Sequence, residues 1–146
     1  MRVWRAPVSA AGLLSIPGAA PYAVTKHAAY AYAEWLSITY AGAGVRVHAV
    51  CPQGVRTQML EDSGPAGKAL MQESAIEADD VAAALLAAIE VGRFLVLPHP
   101  EVGAMYAGRA ADPDRWLTGM RRQSVALPSQ WSPNRDLSLS DRPPRR

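Results

Sequence analysis

The stretch SAAGLLSIPGAAPYAVTK, residues 9 to 26, decides how the rest of the chain is read. Its end, YAVTK, sets Tyr22 and Lys26 four positions apart, and Ser9 stands thirteen residues before Tyr22. On a helix, positions i and i+4 share a face one turn apart, so the phenol and the ammonium can lean toward a common point. A cation beside a phenol favours the phenolate, which proton transfer at an alcohol or carbonyl oxygen requires. A hydroxyl such as that of Ser9, on the chain entering the helix, can donate to the same oxygen and stabilise charge developing there. A tyrosine and a lysine at this spacing also occur in ordinary helices as a half-buried aromatic with a solvated neighbour. The surroundings therefore carry the decision.

Those surroundings are patterned. Residues 21 to 41 read as one helix, with Pro21 near its first turn, abundant alanine, and Gly42 with Gly44 as a stop. VRVHAVC, 45 to 51, reads as a buried strand, followed by PQGVRTQML. With SAAG, the Pro and Gly before Tyr22, and CPQGVRT after the strand, the sequence closely resembles the short-chain dehydrogenase/reductase family over roughly residues 8 to 122. The resemblance implies that Ser9, Tyr22 and Lys26 are the catalytic residues. It implies NAD or NADP as cofactor, contacted by Tyr22, Lys26, Pro52, Val55 and Thr57, and a small-molecule alcohol or ketone as substrate. Gln53 stands where the family usually has glycine, and Gly54 is expected to supply the lost backbone freedom one residue later. EADDVAAALLAAIEVGRFLVLPHPEV looks like the last helix and strand of the fold. In relatives the helix matching 21 to 41 builds a homo-oligomer interface, which implies the same use of its outer face here.

The glycine-rich turn that cradles a cofactor pyrophosphate should follow a strand and open a helix. AGAG at 41 to 44 follows a helix and precedes a strand, and GPAG at 64 to 67 is likewise out of place. The expected architecture is therefore α/β, a partial doubly wound Rossmann-like fold of about three parallel strands with flanking helices. The first, nucleotide-binding half, with its adenosine site and the asparagine that completes the family's catalytic set, is expected to be missing. Residues 1 to 125 would form this catalytic half, and 126 to 146, rich in Pro, Ser and Arg, a disordered tail. A chain so reduced has an alternative reading as a non-catalytic remnant acting through self-association.

Composition narrows the classes further. At 146 residues and 49% apolar content, one domain with a sizeable core is expected. A net charge of +2 is too small to argue for nucleic acid, and the basic excess gathers in the RPPRR ending. No run of eighteen apolar residues suggests a membrane span, and no metal-ligand cluster stands out. The single cysteine, Cys51, excludes an internal disulfide and suits a reducing, cytoplasmic setting. It reads as a small core residue, and His48 as a satisfied structural histidine. The first twenty residues, with early arginines, a short apolar stretch and small residues, also resemble an export signal, although Gly12 and Pro17 break the apolar run.

A coarse pass completes the expectations. Residues 3 to 8 read as the first strand, where Arg5 and Pro7 sit badly in a position that a parallel sheet would bury. Ser15 is the alternative hydroxyl to Ser9. From Arg56 to Ala78 the chain reads as irregular, a lid over a substrate cleft or a plain connection. Asp79 or Asp80 is expected to cap a helix running to about Glu90, RFLVLP to form the last strand, and one or two short helices to follow, with a start near residue 113. His99, Tyr106 and Trp116 are expected to pack, or to line a substrate pocket.

Overall fold

The computed structural model describes residues 2–126. The tail from 127 onward lies outside the described residues. Three parallel strands, β1 (Arg2–Pro7), β2 (Val45–Val50) and β3 (Leu95–Val96), form one sheet in the order β1-β2-β3. Six α-helices accompany them among the described residues: α1 (Ala20–Tyr40), α2 (Gln58–Glu61), α3 (Gly64–Met71), α4 (Ala78–Val91), α5 (Glu101–Ala111) and α6 (Pro113–Ala126). The architecture is α/β, a partial Rossmann-like arrangement with helices on both faces of the sheet.

The central strand shows why its sequence is an unbroken apolar run. Val47, Ala49 and Cys51 pack into a core with Val8, Leu13, Ala33 and Val102, while Val50 packs on the other face with Val96 and Ala88. A strand covered on both faces cannot alternate apolar with polar residues. His48 lies within this run, fully buried, and its Nδ1–H donates to the Arg93 carbonyl at 2.6 Å. That bond holds the turn that leads into β3, but Nε2 is buried without a hydrogen-bond partner among the described residues, so His48 is structural yet only half satisfied, against the expectation of a satisfied histidine.

β1 pairs with β2 alone, and this relieves the conflict raised by Arg5 and Pro7. Both residues are exposed, and at this edge of the described sheet neither must enter an apolar layer. β3 is shorter than RFLVLP suggested, with two ladder residues, although Ala49 N–H donates to Phe94 O at 2.8 Å and Cys51 N–H to Val96 O at 2.9 Å.

α1 follows the reading closely. Pro21 lies in its first turn, and the helix tightens into a 3-10 turn at Ala41–Ala43 before Gly44 ends it at φ 72°. That left-handed angle suits glycine, which lacks the Cβ that crowds it. α4 departs from expectation at its cap. Glu77, not Asp79 or Asp80, is the N-cap: its carboxylate accepts from the Asp80 amide, and its own N–H donates to Asp80 Oδ2 at 3.0 Å. The reciprocal pair satisfies two amides at once, which a lone aspartate cap cannot do.

The segment expected to be irregular is largely helical. α2 and α3 form a flap whose two legs meet at a parallel bridge between Val55 and Ile76. Arg56 N–H donates to Ile76 O at 2.9 Å and Ile76 N–H to Gly54 O at 3.2 Å, which closes the neck. Exposed ion pairs, Arg56 to Glu77 at 2.7 Å and Lys68 to Glu61 at 2.6 Å, lie along it. The glycines and proline that suggested a loop instead start α3, with Pro65 in its first turn. The helix expected near residue 113 is α6, where Asp112 Oδ1 accepts from the Arg115 amide at 2.9 Å.

Candidate active site

The parallel strands deliver their C-terminal ends to one side of the sheet, where ligands of such folds gather. Ser9 stands just past β1 with φ 103° and ψ 152°, the only described non-glycine residue at positive φ. Its amide donates to Val50 O at 3.1 Å, and the next amide, of Ala10, donates to Pro52 O at 2.8 Å. These bonds join the Ser9 turn to the loop that follows β2. The Ser9 Oγ accepts from the Ala11 amide at 3.2 Å. An oxygen used as acceptor in this way keeps its own hydrogen free to donate.

Gly12 brings that turn against α1. A Cβ at Gly12 would lie 2.3 Å from Val8 Cγ1 and 2.7 Å from the Lys26 carbonyl oxygen. Only a residue without a side chain lets the backbone approach α1 at Lys26 so closely. Tyr22 lies in the first turn of α1, about two-fifths exposed. Lys26 follows one turn later, its Nζ 5.6 Å from the Tyr22 ring centroid and donating to Pro7 O at 3.2 Å. The end of β1 thus holds the ammonium beside the aromatic ring, with two of its three protons left to donate. No hydrogen bond joins the Tyr22 hydroxyl to Ser9 or Lys26 in this arrangement.

The loop Pro52–Thr57 carries the expected cofactor contacts. Pro52 and Val55 are half-buried and Thr57 is exposed, with its Oγ1 donating to Val55 O at 3.3 Å. Gly54 requires a correction. Its φ is not positive, so it does not restore backbone freedom lost at Gln53. It provides room instead, since a Cβ there would meet the Met71 carbonyl oxygen at 2.5 Å. Glycine at 54 lets α3 lie against the loop.

Two histidines and an arginine shape the site in ways that the sequence did not signal. His99, 3% exposed, accepts from the Gln53 amide at Nδ1, 3.1 Å, while its Nε2 faces Ser74 O at 3.0 Å. Arg109 of α5 donates to the Leu13 carbonyl and to His27 Nε2, the latter at 3.1 Å. His27 Nδ1–H donates in turn to Ala23 O at 2.9 Å, so α5, α1 and the Ser9 turn are linked through one guanidinium. The pairs Gln53–His99, His27–Arg109 and Leu13–Arg109 lie 46 to 96 residues apart in the chain, and no local spacing reveals them.

Tyr106 and Trp116 pack against the core and also border an open cleft of about 470 Å³, with Ile16, Pro17, Leu117 and Met120. Ser15, the alternative hydroxyl, lines this apolar cleft. His99 is not among its lining residues; it serves the loop after β2. Burial pushes the Cys51 thiol up to about 12, far from the range of a reactive nucleophile. Tyr30, whose ring meets Phe94 edge-on at 5.8 Å, is likewise pushed up to about 12, first by burial and then by Tyr106 and Glu34. Neither is poised for proton transfer near neutrality.

The family model described as short chain dehydrogenase matches residues 8–67. Oxidoreductase UcpA of Escherichia coli is 34% identical over 108 residues, which is 73% of this chain and 38% of that protein. A 3beta-hydroxysteroid dehydrogenase of Mediterraneibacter gnavus is 35% identical over 72 residues, 49% of this chain and 26% of its own length. A 1-deoxy-11-beta-hydroxypentalenate dehydrogenase of Streptomyces exfoliatus is 34% identical over 85 residues, 58% of this chain and 30% of its own. The chain therefore spans well under half the length of these relatives. Because the matched residues run from the Ser9 turn through α1 to the loop after β2, the likeness covers the elements that build the site, and the chain belongs to the short-chain dehydrogenase/reductase family.

Proposed function

We propose that this chain carries the catalytic side of an NAD- or NADP-dependent oxidoreductase that interconverts a small-molecule alcohol and a ketone. The observation that carries the reading is the docking of the strained Ser9 turn on two partners at once, α1 at Lys26 and the loop after β2 at Pro52. The donor set fits the nicotinamide end of such a cofactor: Lys26 has protons to spare for ribose hydroxyls, and Pro52, which starts the loop that carries Val55 and Thr57, is bonded to the Ser9 turn. When bound, the nicotinamide supplies or accepts the hydride. Tyr22 passes a proton to or from the substrate oxygen, Ser9 Oγ–H orients that oxygen, and Lys26 keeps the phenol in a cationic field. The names of two relatives, a hydroxysteroid and a hydroxypentalenate dehydrogenase, support a hydroxyl-bearing carbon skeleton as substrate. The buried, unreactive Cys51 suits a reducing, cytoplasmic setting, and no described helix is long and apolar enough to cross a membrane.

Calorimetric titration of NADH and NADPH into the chain, beside Tyr22→Phe and Lys26→Ala, tests the reading. Tyr22→Phe should bind cofactor as the wild type does while losing about a hundredfold or more in rate, and Lys26→Ala should weaken binding about tenfold. Absence of binding at millimolar cofactor would overturn it.

A second copy of the chain is the partner we propose, seated on the outer face of α1. Val24, Tyr32, Trp35 and Ile38 are exposed there, Ile38 by 75%, and the Tyr32 and Trp35 rings stack at 5.9 Å. A non-catalytic remnant would retain this association alone, so the cofactor titration separates the two readings.

A further inference from the structure

We propose that His99 is a positioning residue for the cofactor-facing loop, a pin that holds both legs of the α2–α3 flap to the end of β3. The proposal rests on the oxidoreductase reading given above, and it assigns the residue that sets where Val55 and Thr57 stand.

The hydrogen-bond roles of His99 are forced by its partners. Gln53 offers a backbone N–H, so Nδ1 must accept; Ser74 offers a carbonyl, so Nε2 must carry the hydrogen and donate. Both ring nitrogens of a residue 3% exposed are therefore satisfied in a single tautomer. The two partners lie on opposite legs of the flap, each two residues before its own member of the parallel Val55–Ile76 bridge. One ring thus fastens the departing and returning chain together.

The mount is stiff. His99 stands between Pro98 and Pro100, whose rings fix φ and restrict the residue before each. Its own carbonyl accepts from the Val102 amide at 3.2 Å, which ties it to the start of α5. On the other side of the loop, Pro52 O receives the Ala10 amide. A continuous run of bonds therefore passes from the Ser9 turn through Pro52 and Gln53 to His99 and on to Ser74. A loop held at Pro52 by the catalytic turn and at Gln53 by His99 presents Val55 and Thr57 in one place, so a nicotinamide meets a formed wall and need not order it on binding.

Two amide variants divide the two bonds. Asparagine places an oxygen at the position of Nδ1 and can accept from Gln53; glutamine places an NH2 at the position of Nε2 and can donate to Ser74 but offers nothing to Gln53. In His99→Gln the dissociation constant and KM for NADH or NADPH should rise about five- to tenfold, the scale of one lost hydrogen bond, with kcat changed less than about twofold. In His99→Asn they should return to within about twofold of wild type. Gln53 amide exchange, which needs no cofactor, should be about tenfold faster in His99→Gln than in His99→Asn. Nitrogen chemical shifts of the wild-type ring should report the Nε2–H tautomer whether or not either variant folds. An Nδ1–H tautomer, equal exchange in the two variants, or fast exchange with unchanged cofactor affinity would overturn the proposal. A wild-type chain with the expected tautomer and slow Gln53 exchange that binds neither dinucleotide would overturn the oxidoreductase reading and support the pin alone.

Discussion

Ser9 sets backbone stability against the proposed chemistry in a single residue. A non-glycine residue at φ 103° costs about 1 to 3 kcal/mol, and such strain persists where neighbours over-determine it. Here the Val50 and Pro52 carbonyls hold the turn open, and the Oγ bond to Ala11 recovers part of the cost. Ser9→Gly and Ser9→Ala both remove the hydroxyl and its cap, so they differ in backbone strain and in the freedom of the unfolded chain. Urea unfolding should find Ser9→Gly more stable than Ser9→Ala by about 1 kcal/mol, while both lose activity to a similar degree. An alanine variant as stable as the glycine variant would show that the turn is unstrained. The types and spacing of Ser9, Tyr22 and Lys26 were readable because a helix and its approach are local. The left-handed backbone of Ser9, the space required at Gly54 and the two bonds of His99 were not, because each is imposed by a distant segment.

Among the elements, α1 was legible end to end, and the α2–α3 flap was not. Pro21 and Gly44 mark the bounds of α1 by their own backbone limits, whereas α2 has four residues and α3 eight, too short to show a periodic face. The cap of α4 was misplaced for a related reason: Glu77 works only as half of a reciprocal pair with Asp80. Gly12 is where elements meet. In Gly12→Ala the added methyl must push the turn away from Val8 and from the α1 backbone, at a cost of about 1 to 3 kcal/mol or more. The denaturation midpoint should fall accordingly, and activity should fall with it, since Ser9 and Lys26 separate. A variant with wild-type stability and rate would mean that the close approach of turn and helix is dispensable.

At the scale of the whole molecule, two buried acids set an alkaline limit. Cys51 rises from an ordinary 9.0 to about 12 and Tyr30 from 10.0 to about 12. With folded values above unfolded ones, the unfolded chain loses these protons first, so their contribution is intact below about 9 and fades as pH climbs to about 12. Urea midpoints should be lower at pH about 10.5 than at pH about 8, and Cys51→Ala should lessen the drop. An equal drop in that variant would remove Cys51 from the account. The outer face of α1 is the surface on which we propose that two copies associate. Sedimentation of the wild type should show association that grows with concentration, and Trp35→Glu should shift it toward monomer by placing a charge in the apolar contact. A wild type that stays monomeric at high concentration would discard that interface.

The sequence by itself determined the α/β class, the long helix from Ala20 to Tyr40, the apolar central strand and the residue types of the candidate site. These follow from local conformational limits and from the periodicity of burial, both written in neighbouring residues. Only the tertiary structure decided that β1 has a single partner among the described strands and can carry Arg5, and that the Arg56 to Ala78 segment folds as a flap with a closed neck. It alone decided that His99 and Arg109 bind backbone atoms tens of residues away. The physical reason is that such bonds are made by segments whose meeting is set by the packing of the sheet and its helices, and no short window of sequence contains both partners.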